Sequence, residues 1–379
     1  MPNYDKIQVI AYGSVTSTPT QVLPDDAVNA YAEDAEIRAN VFSVAAEWTR
    51  EQFAGQLGGA DTLKIFMAPE FYFRYGGPSD PPDDLLDSYP NGEIRLVNVI
   101  EDVMRRRLGG PEYADWLFVP GTMFWHKTAE QPNTSHPIYF NTAALFRGGP
   151  AGQLSPQARA DNANPGKIPT VGTTSTNQKQ LMSGIDYSLR PEDQGRARWD
   201  AALNPMFEPA LGSWDWWRWH IFSVQDMDGP GGDPLVFGLE VCLEHIHEMA
   251  RPSTGLGVLR TLCTPGQGFW DRPPEVNVHL LTACGMPLQP QRGIAATIGG
   301  YVARCDGMRP MTHTCWPAAN FERVIDIDAG SGMRITAPVC NGPAAKVLPD
   351  QLQIGWRDGV TAPPHDPPDA VSVWNPVAL

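Results

Sequence analysis

Several runs in this chain are apolar at nearly every position, and that pattern constrains the fold more than any other feature. KIQVIAYGSV (6–15), LKIFMAPEF (63–71), WLFVPGTMFW (116–125) and the start of PLVFGLEVCLEH (234–245) are the clearest. A strand with one face in water alternates apolar and polar residues; a strand covered on both faces does not need to. These runs therefore predict strands buried on both sides. Helical segments are interleaved with them. Residues 29–57 place apolar side chains at Ala35, Val41, Val44, Ala45 and Trp48 before Gly58-Gly59, and EIRLVNVIEDVMRRRL (93–108) closes at Gly109-Gly110. Further strands are expected over 138–149, 214–227, 276–286 and 294–307, with a short helix near 192–202 and another within HEMARPSTGLGVLRT. The fold class is α/β, with about ten strands in two sheets flanked by helices.

Composition sets the limits of that fold. The chain carries 37 Pro and 36 Gly in 379 residues. That is about 19%, above the usual share of roughly 12% and below the roughly 25–30% of low-complexity chains. Together with 42% hydrophobic residues this implies a loop-heavy globular protein and excludes a disordered or collagenous one. The excess gathers in 76–92, 148–172, 229–234 and beyond Gly342. Residues 1–342 are expected to form one domain with loop insertions, and 343–379 a Pro-rich tail without period, lying on the surface or used in assembly.

The net charge of −15 disfavours nucleic acid and anionic membranes as partners. Arg105-Arg106-Arg107 reads as a solvated helix end. There is no 18-residue apolar span, and the first residues do not read as a signal peptide, so a soluble, cytoplasmic protein is expected. Six cysteines without a CxxC pair speak against a disulfide framework or a zinc ribbon.

Sites in α/β proteins gather beyond strand ends, and three ends carry reactive side chains. Glu70 in MAPEFYFR follows an apolar run between aromatics, where desolvation suits a carboxyl to general-base work. Cys242 in VFGLEVCLEH closes a strand ahead of a turn. That is the shape of a nucleophile elbow, which exposes the sulfur and turns the next N–H, that of Leu243, towards an oxyanion. Lys179 in NQKQLMSGIDY offers a fixed cation for the same anion.

Glu, Lys and Cys in that order, each at a strand end, resemble the nitrilase (carbon–nitrogen hydrolase) superfamily. The carrying segments are IFMAPEFYFR, FVPGTMFW, IYFNTAALF and LVFGLEVCLEH, across residues 6 to 328. The resemblance implies a four-layer αββα sandwich and a Glu70–Lys179–Cys242 triad. It further implies a thioester on Cys242, hydrolysis of a small-molecule amide or nitrile, no cofactor, and a homodimer or larger homo-oligomer. Lys167, in NPGKIPTVG, competes with Lys179, which stands 38 residues beyond Asn141. Asp186, Glu192 and Glu208 are candidates for an auxiliary carboxylate. Glu244 resembles the acid of the nitrile-cleaving branch, but Leu243 stands where that branch has Trp; the resemblance favours an amide because amide hydrolases are the more numerous branch.

Other readings compete. His245 and His247 alternate on a strand end, as in metal-dependent amidohydrolases, and His279 is the one further histidine inside a convincing later strand. The other outcome for these imidazoles is a hydrogen-bonded core or pocket wall. A papain-like site is disfavoured because that fold carries its cysteine on a helix, and a non-catalytic assembly module is the remaining alternative. Trp214, Trp216, Trp217 and Trp219 are expected to pack an insertion against the core or to line an aromatic pocket.

Overall fold

The apolar runs become the centres of two sheets. A computed structural model describes residues 3–17, 22, 30–75, 88–90, 93–131, 134–150, 152–179, 219–246, 255–265, 270–308, 319–339, 342–353 and 368–379. The first half holds β1 (Lys6–Gly13), α1 (Ala30–Gln52), β2 (Thr62–Ala68), β3 (Tyr89–Pro90), α2 (Glu93–Leu108), β4 (Trp116–Pro120), β5 (Thr122–Gln131) and β6 (Thr134–Arg147). Then come α3 (Pro156–Asn162), β7 (Thr170–Val171), β8 (Thr174–Gln178), β9 (Ile221–Asp228), β10 (Pro234–Val241) and α4 (Val258–Leu262). The chain ends with β11 (Val276–Ala283), β12 (Ala296–Asp306), β13 (Ala319–Ile327), β14 (Arg334–Pro338), β15 (Ala344–Val347), β16 (Ala370–Val373) and β17 (Val377–Ala378).

The result is a mixed α/β fold with two large mixed sheets. Among the described residues the first runs β15-β16-β1-β2-β4-β6-β5-β3, with β17 on β1 and β8 on β6. The second runs β14-β13-β12-β11-β10-β9-β7. Each has a parallel triplet at its centre: β1, β2 and β4 in the first, β10, β11 and β12 in the second.

Burial explains why the central strands lack alternation. From β1, β2 and β4, Ile7, Val9, Leu63, Ile65, Met67, Leu117 and Val119 enter the core between the sheets. They meet Phe237, Leu239, Val278, Leu280 and Ala303 of the facing sheet. The alternate positions Ile10, Tyr12, Phe66, Trp116 and Phe118 point the other way, onto α1 and α2. Each strand thus feeds two cores, and a polar residue at either parity would be buried. On the far face of the second sheet, Val258, Leu259 and Leu262 of α4 cover Ile221 and Val276.

Three expectations change in detail. WLFVPGTMFW is two strands: Gly121, at φ +75°, ends β4 and turns the chain into β5. The buried stripe of α1 is Ala35, Ala39, Phe42, Ala45 and Ala46, whereas Val41 and Trp48 are only partly buried. Asp34 and Arg38 share that buried face as an ion pair of 2.7 Å, so hydropathy alone misplaces it. The segment beyond Gly342 supplies strands, not only a surface tail. β16 pairs antiparallel with β1, and Trp374 sits in the inter-sheet core. Its strands are short and divided by Pro-rich stretches, which hides their period. The helix expected near 192–202 lies outside the described residues. No helix among the described residues is long and apolar enough to cross a membrane.

Candidate active site

The carboxyl ends of the two parallel triplets meet. The Glu70 N–H, just past β2, donates to Ala283 O at the end of β11 (3.3 Å), and Thr16 N–H, past β1, donates to Gly307 O past β12 (2.9 Å). Pro69 stops β2 and Phe71 takes φ +62°, a left-handed conformation that costs a non-glycine residue about 1–3 kcal/mol. Thr122 Oγ1 accepts the Phe71 N–H (2.8 Å) and the Thr16 hydroxyl donates to Glu70 O, so this turn is pinned on both sides.

Glu70 is fully buried, and a buried carboxylate persists only where donors and a counter-charge replace water. Lys179 Nζ lies 2.8 Å from Glu70 Oε1, and Asn141 Nδ2 donates to the same oxygen at 2.9 Å. Lys179 reaches this position because β8 pairs with β6 in the register Thr142↔Gln178, and Asn141 O accepts the Lys179 N–H at 2.8 Å. The 38 residues between Asn141 and Lys179 are thus closed by one antiparallel pairing. Lys167 is exposed, in a turn where its N–H meets Asn164 O, and is not brought to Glu70. Phe71 lies under the Lys179 ammonium at 6.0 Å and packs edge-on to Phe124, with the buried Arg74 guanidinium over both rings.

Cys242 follows β10 at φ +49°, the strained strand-to-turn geometry expected of an elbow. It opens a one-turn 3-10 helix, Cys242–His245, and its Sγ is 4.0 Å from Cys284 O. Cys242 and Glu70 therefore both border residues 283–284 at the end of β11. Glu244 is buried and accepts the Val241 N–H at 3.0 Å, with His220 Nε2 at 3.5 Å from its other oxygen. Its carboxylate braces the elbow.

Beneath the elbow lies a buried Glu240–His245–His279 cluster. Glu240 Oε2 is 2.9 Å from His245 Nδ1 and 3.0 Å from His279 Nε2, and Glu240 Oε1 accepts the Leu259 N–H at 2.6 Å. The other nitrogen of each ring accepts a backbone N–H: His245 Nε2 from Gln289 (3.0 Å) and His279 Nδ1 from Ala295 (3.2 Å). His245 is thereby held neutral, its Nδ1 proton facing Glu240. A metal bound among these three side chains would require each ring to offer lone pairs at both nitrogens, an imidazolate. The donor set suits hydrogen bonds, not an ion. Burial pushes the Glu240 carboxyl up, but His279 and His245 outweigh it and hold it down at about 2. Burial pushes the His245 pKa down, against the pull of Glu240.

Sequence reasoning missed the roles of Asn141, Glu240 and Cys284. A polar Asn inside the apolar strand IYFNTAALF was the available signal for the first. Cys284 stands at the end of β11 as Cys242 stands at the end of β10. Its thiol is pushed well up by burial, then by the charges of Glu70 and Asp306. Cys263, Cys284 and Cys305 are free thiols. Trp219 packs partly buried against the inter-sheet core. His247, Trp214, Trp216, Trp217, Asp186, Glu192 and Glu208 lie outside the described residues. No known family model matches the chain, and neither does any curated protein.

Proposed function

We propose that this chain is a nitrilase-type hydrolase that cleaves a carbon–nitrogen bond of a small-molecule amide. The observation that carries the reading is the shared Oε1 of Glu70, held by Lys179 at 2.8 Å and Asn141 at 2.9 Å in a buried setting. The strained Cys242 turn bordering the same strand end adds to it. On this reading the face-to-face sheets, with α1 and α2 outside one and α4 outside the other, are the layers of an αββα sandwich. Its cysteine-side surface would pair copies into a homodimer or larger assembly.

The chemistry follows from the residue types. Glu70 takes the Cys242 thiol proton, and the sulfur pair attacks the amide carbon as the carbonyl π pair moves to oxygen. The Lys179 ammonium and the Leu243 N–H hold that oxyanion. When it collapses, the C–N bond breaks and Glu70 delivers its proton to the departing nitrogen, leaving a thioester. Glu70 then deprotonates a water that attacks the thioester, and the carboxylic acid leaves as the thiol is restored. Every proton is carried by Glu70, and no cofactor enters. Glu244 is engaged with the Val241 N–H, so its presence does not favour a nitrile substrate.

Ammonia release over a panel of amides and nitriles, with mass spectrometry of the intact protein, tests the reading. A thioester adduct on Cys242 is expected, and Cys242→Ala should reduce turnover to background. Turnover that survives this change would sink the triad.

A further inference from the structure

A depression of ≈ 450 Å³ on the outer side of the second sheet is lined by Leu256, Arg260, Cys263, Thr264, Pro265, Ser331 and Arg334. None of these is a triad residue or one of the side chains bonded to it. Arg260, on α4, is buried, and Arg334 opens β14. The turn between β13 and β14 brings them together. Gly332, at φ +67°, presents its carbonyl to both guanidiniums: Arg260 Nη2 donates to it, and Arg334 Nη1 does so at 3.0 Å. Arg260 Nη1 also donates to Ile294 O (3.0 Å), and Arg334 Nε to Ala296 O (3.2 Å).

These bonds fix both forks in place without neutralising either. Among the described residues neither arginine has a carboxylate within ion-pair distance, although the chain carries 43 acidic against 28 basic residues. Asp328, the acid of the same turn, is committed to the Ser331 N–H (2.7 Å) and hydroxyl (2.6 Å). Burial and then the neighbouring charge of Arg334 push the Arg260 pKa down to about 10, and burial pushes that of Arg334 down. The Cys263 thiol is pushed up to about 12, first by burial, so the sulfur brings no negative charge.

We propose that this depression binds a phosphate dianion. Two pre-positioned guanidiniums match a charge of about −2 at neutral pH, which a monocarboxylate would leave half compensated. Arginine forks retain N–H donors beyond those given to the carbonyls, in the planar geometry that phosphate oxygens accept. The volume exceeds that of a bare phosphate and leaves room for the body of a phosphate monoester.

The test is calorimetric titration of the full chain with inorganic phosphate and, separately, with glycerol phosphate, at matched chloride concentration. Saturable binding of either anion is expected in the unaltered protein and in Cys242→Ala, which separates this site from the proposed triad. Tighter binding of the ester would identify an esterified ligand as the occupant. Arg334→Gln should weaken binding by about 10–100-fold, the effect of losing a hydrogen bond to a charged partner. Arg334 is the better position to change, because Arg260 is buried and anchors two carbonyls. Absence of saturable binding of both anions in the unaltered protein, or equal affinity in a folded Arg334→Gln, would overturn the proposal.

Discussion

Asn141 acts at both of its ends: its carbonyl accepts the Lys179 N–H, and its side-chain amide donates to the Glu70 oxygen that Lys179 also holds. One residue thus sets where carboxylate and ammonium meet. If Glu70 is the general base, Asn141→Ala should lower kcat by about 10–100-fold with KM little changed, the effect of losing one hydrogen bond to a charge. Steady-state kinetics would show it, and an unchanged kcat would count against the role given to Glu70. The Glu240–His245–His279 cluster makes a different prediction, on stability. The His245 pKa is lowered in the fold, so below about pH 6.5 the unfolded chain binds the extra proton and stability falls. Glu240, held at about 2, adds a loss that grows as pH drops from its ordinary range through that value. Denaturant midpoints should therefore decline on acidification from neutral pH, less steeply in His245→Gln; an equal slope in the variant would discount His245. Glu70 and Cys242 were legible as residues because each ends an apolar run. Their partners were less so, because Asn141 is one polar side chain in an apolar strand and Lys179 has a polar lead-in.

At the scale of elements, the most informative departure is the end of the chain. β16 lies antiparallel to β1 in the register Ile10↔Val373, and Trp374 follows it into the core between the sheets, edge-on to Phe321 at 6.3 Å. The Trp374 N–H donates to Val9 O (3.1 Å), and its own carbonyl accepts from the Gln8 amide (2.7 Å). Trp374→Ala should cost about 3–5 kcal/mol of stability, as large aromatic truncations in cores do. Chemical denaturation would measure it, and a loss below about 1 kcal/mol would mean that the side chain is not core. A four-residue strand between Pro-rich stretches carries too few positions for a period to register, so its place is decided by the β1 edge it pairs with. In α1 the fault is of another kind. Helix and length are legible, and of the face read from Ala35, Val41, Val44, Ala45 and Trp48 the two alanines are buried; Val41, Val44 and Trp48 are only partly so, while Asp34 and Arg38 turn inward as a pair. Tyr89 gives Asp34 a hydroxyl, and Tyr72 O accepts from Arg38 (3.1 Å). Hydropathy scores a paired charge as though it were solvated.

For the whole molecule, the charge of −15 acts as self-repulsion in the compact state. Raising NaCl from about 10 to 150 mM, which shortens the screening length to about 8 Å, should raise the unfolding temperature by a few degrees. A fall in that temperature would show that attractive pairs such as Arg107–Glu47 outweigh the repulsion. Local chemistry in the chain determined the class of fold and the ends where reactive groups sit. Strands covered on both faces must be apolar throughout, and that demand is written residue by residue. Only the tertiary structure decided which strands are neighbours, which lysine reaches Glu70, and that His245 meets His279 through Glu240. Those outcomes depend on pairings between segments far apart in sequence, such as β8 on β6 and β16 on β1. Backbone hydrogen bonds there are the same for every residue type, so the side chains leave little local sign of which partner a strand takes.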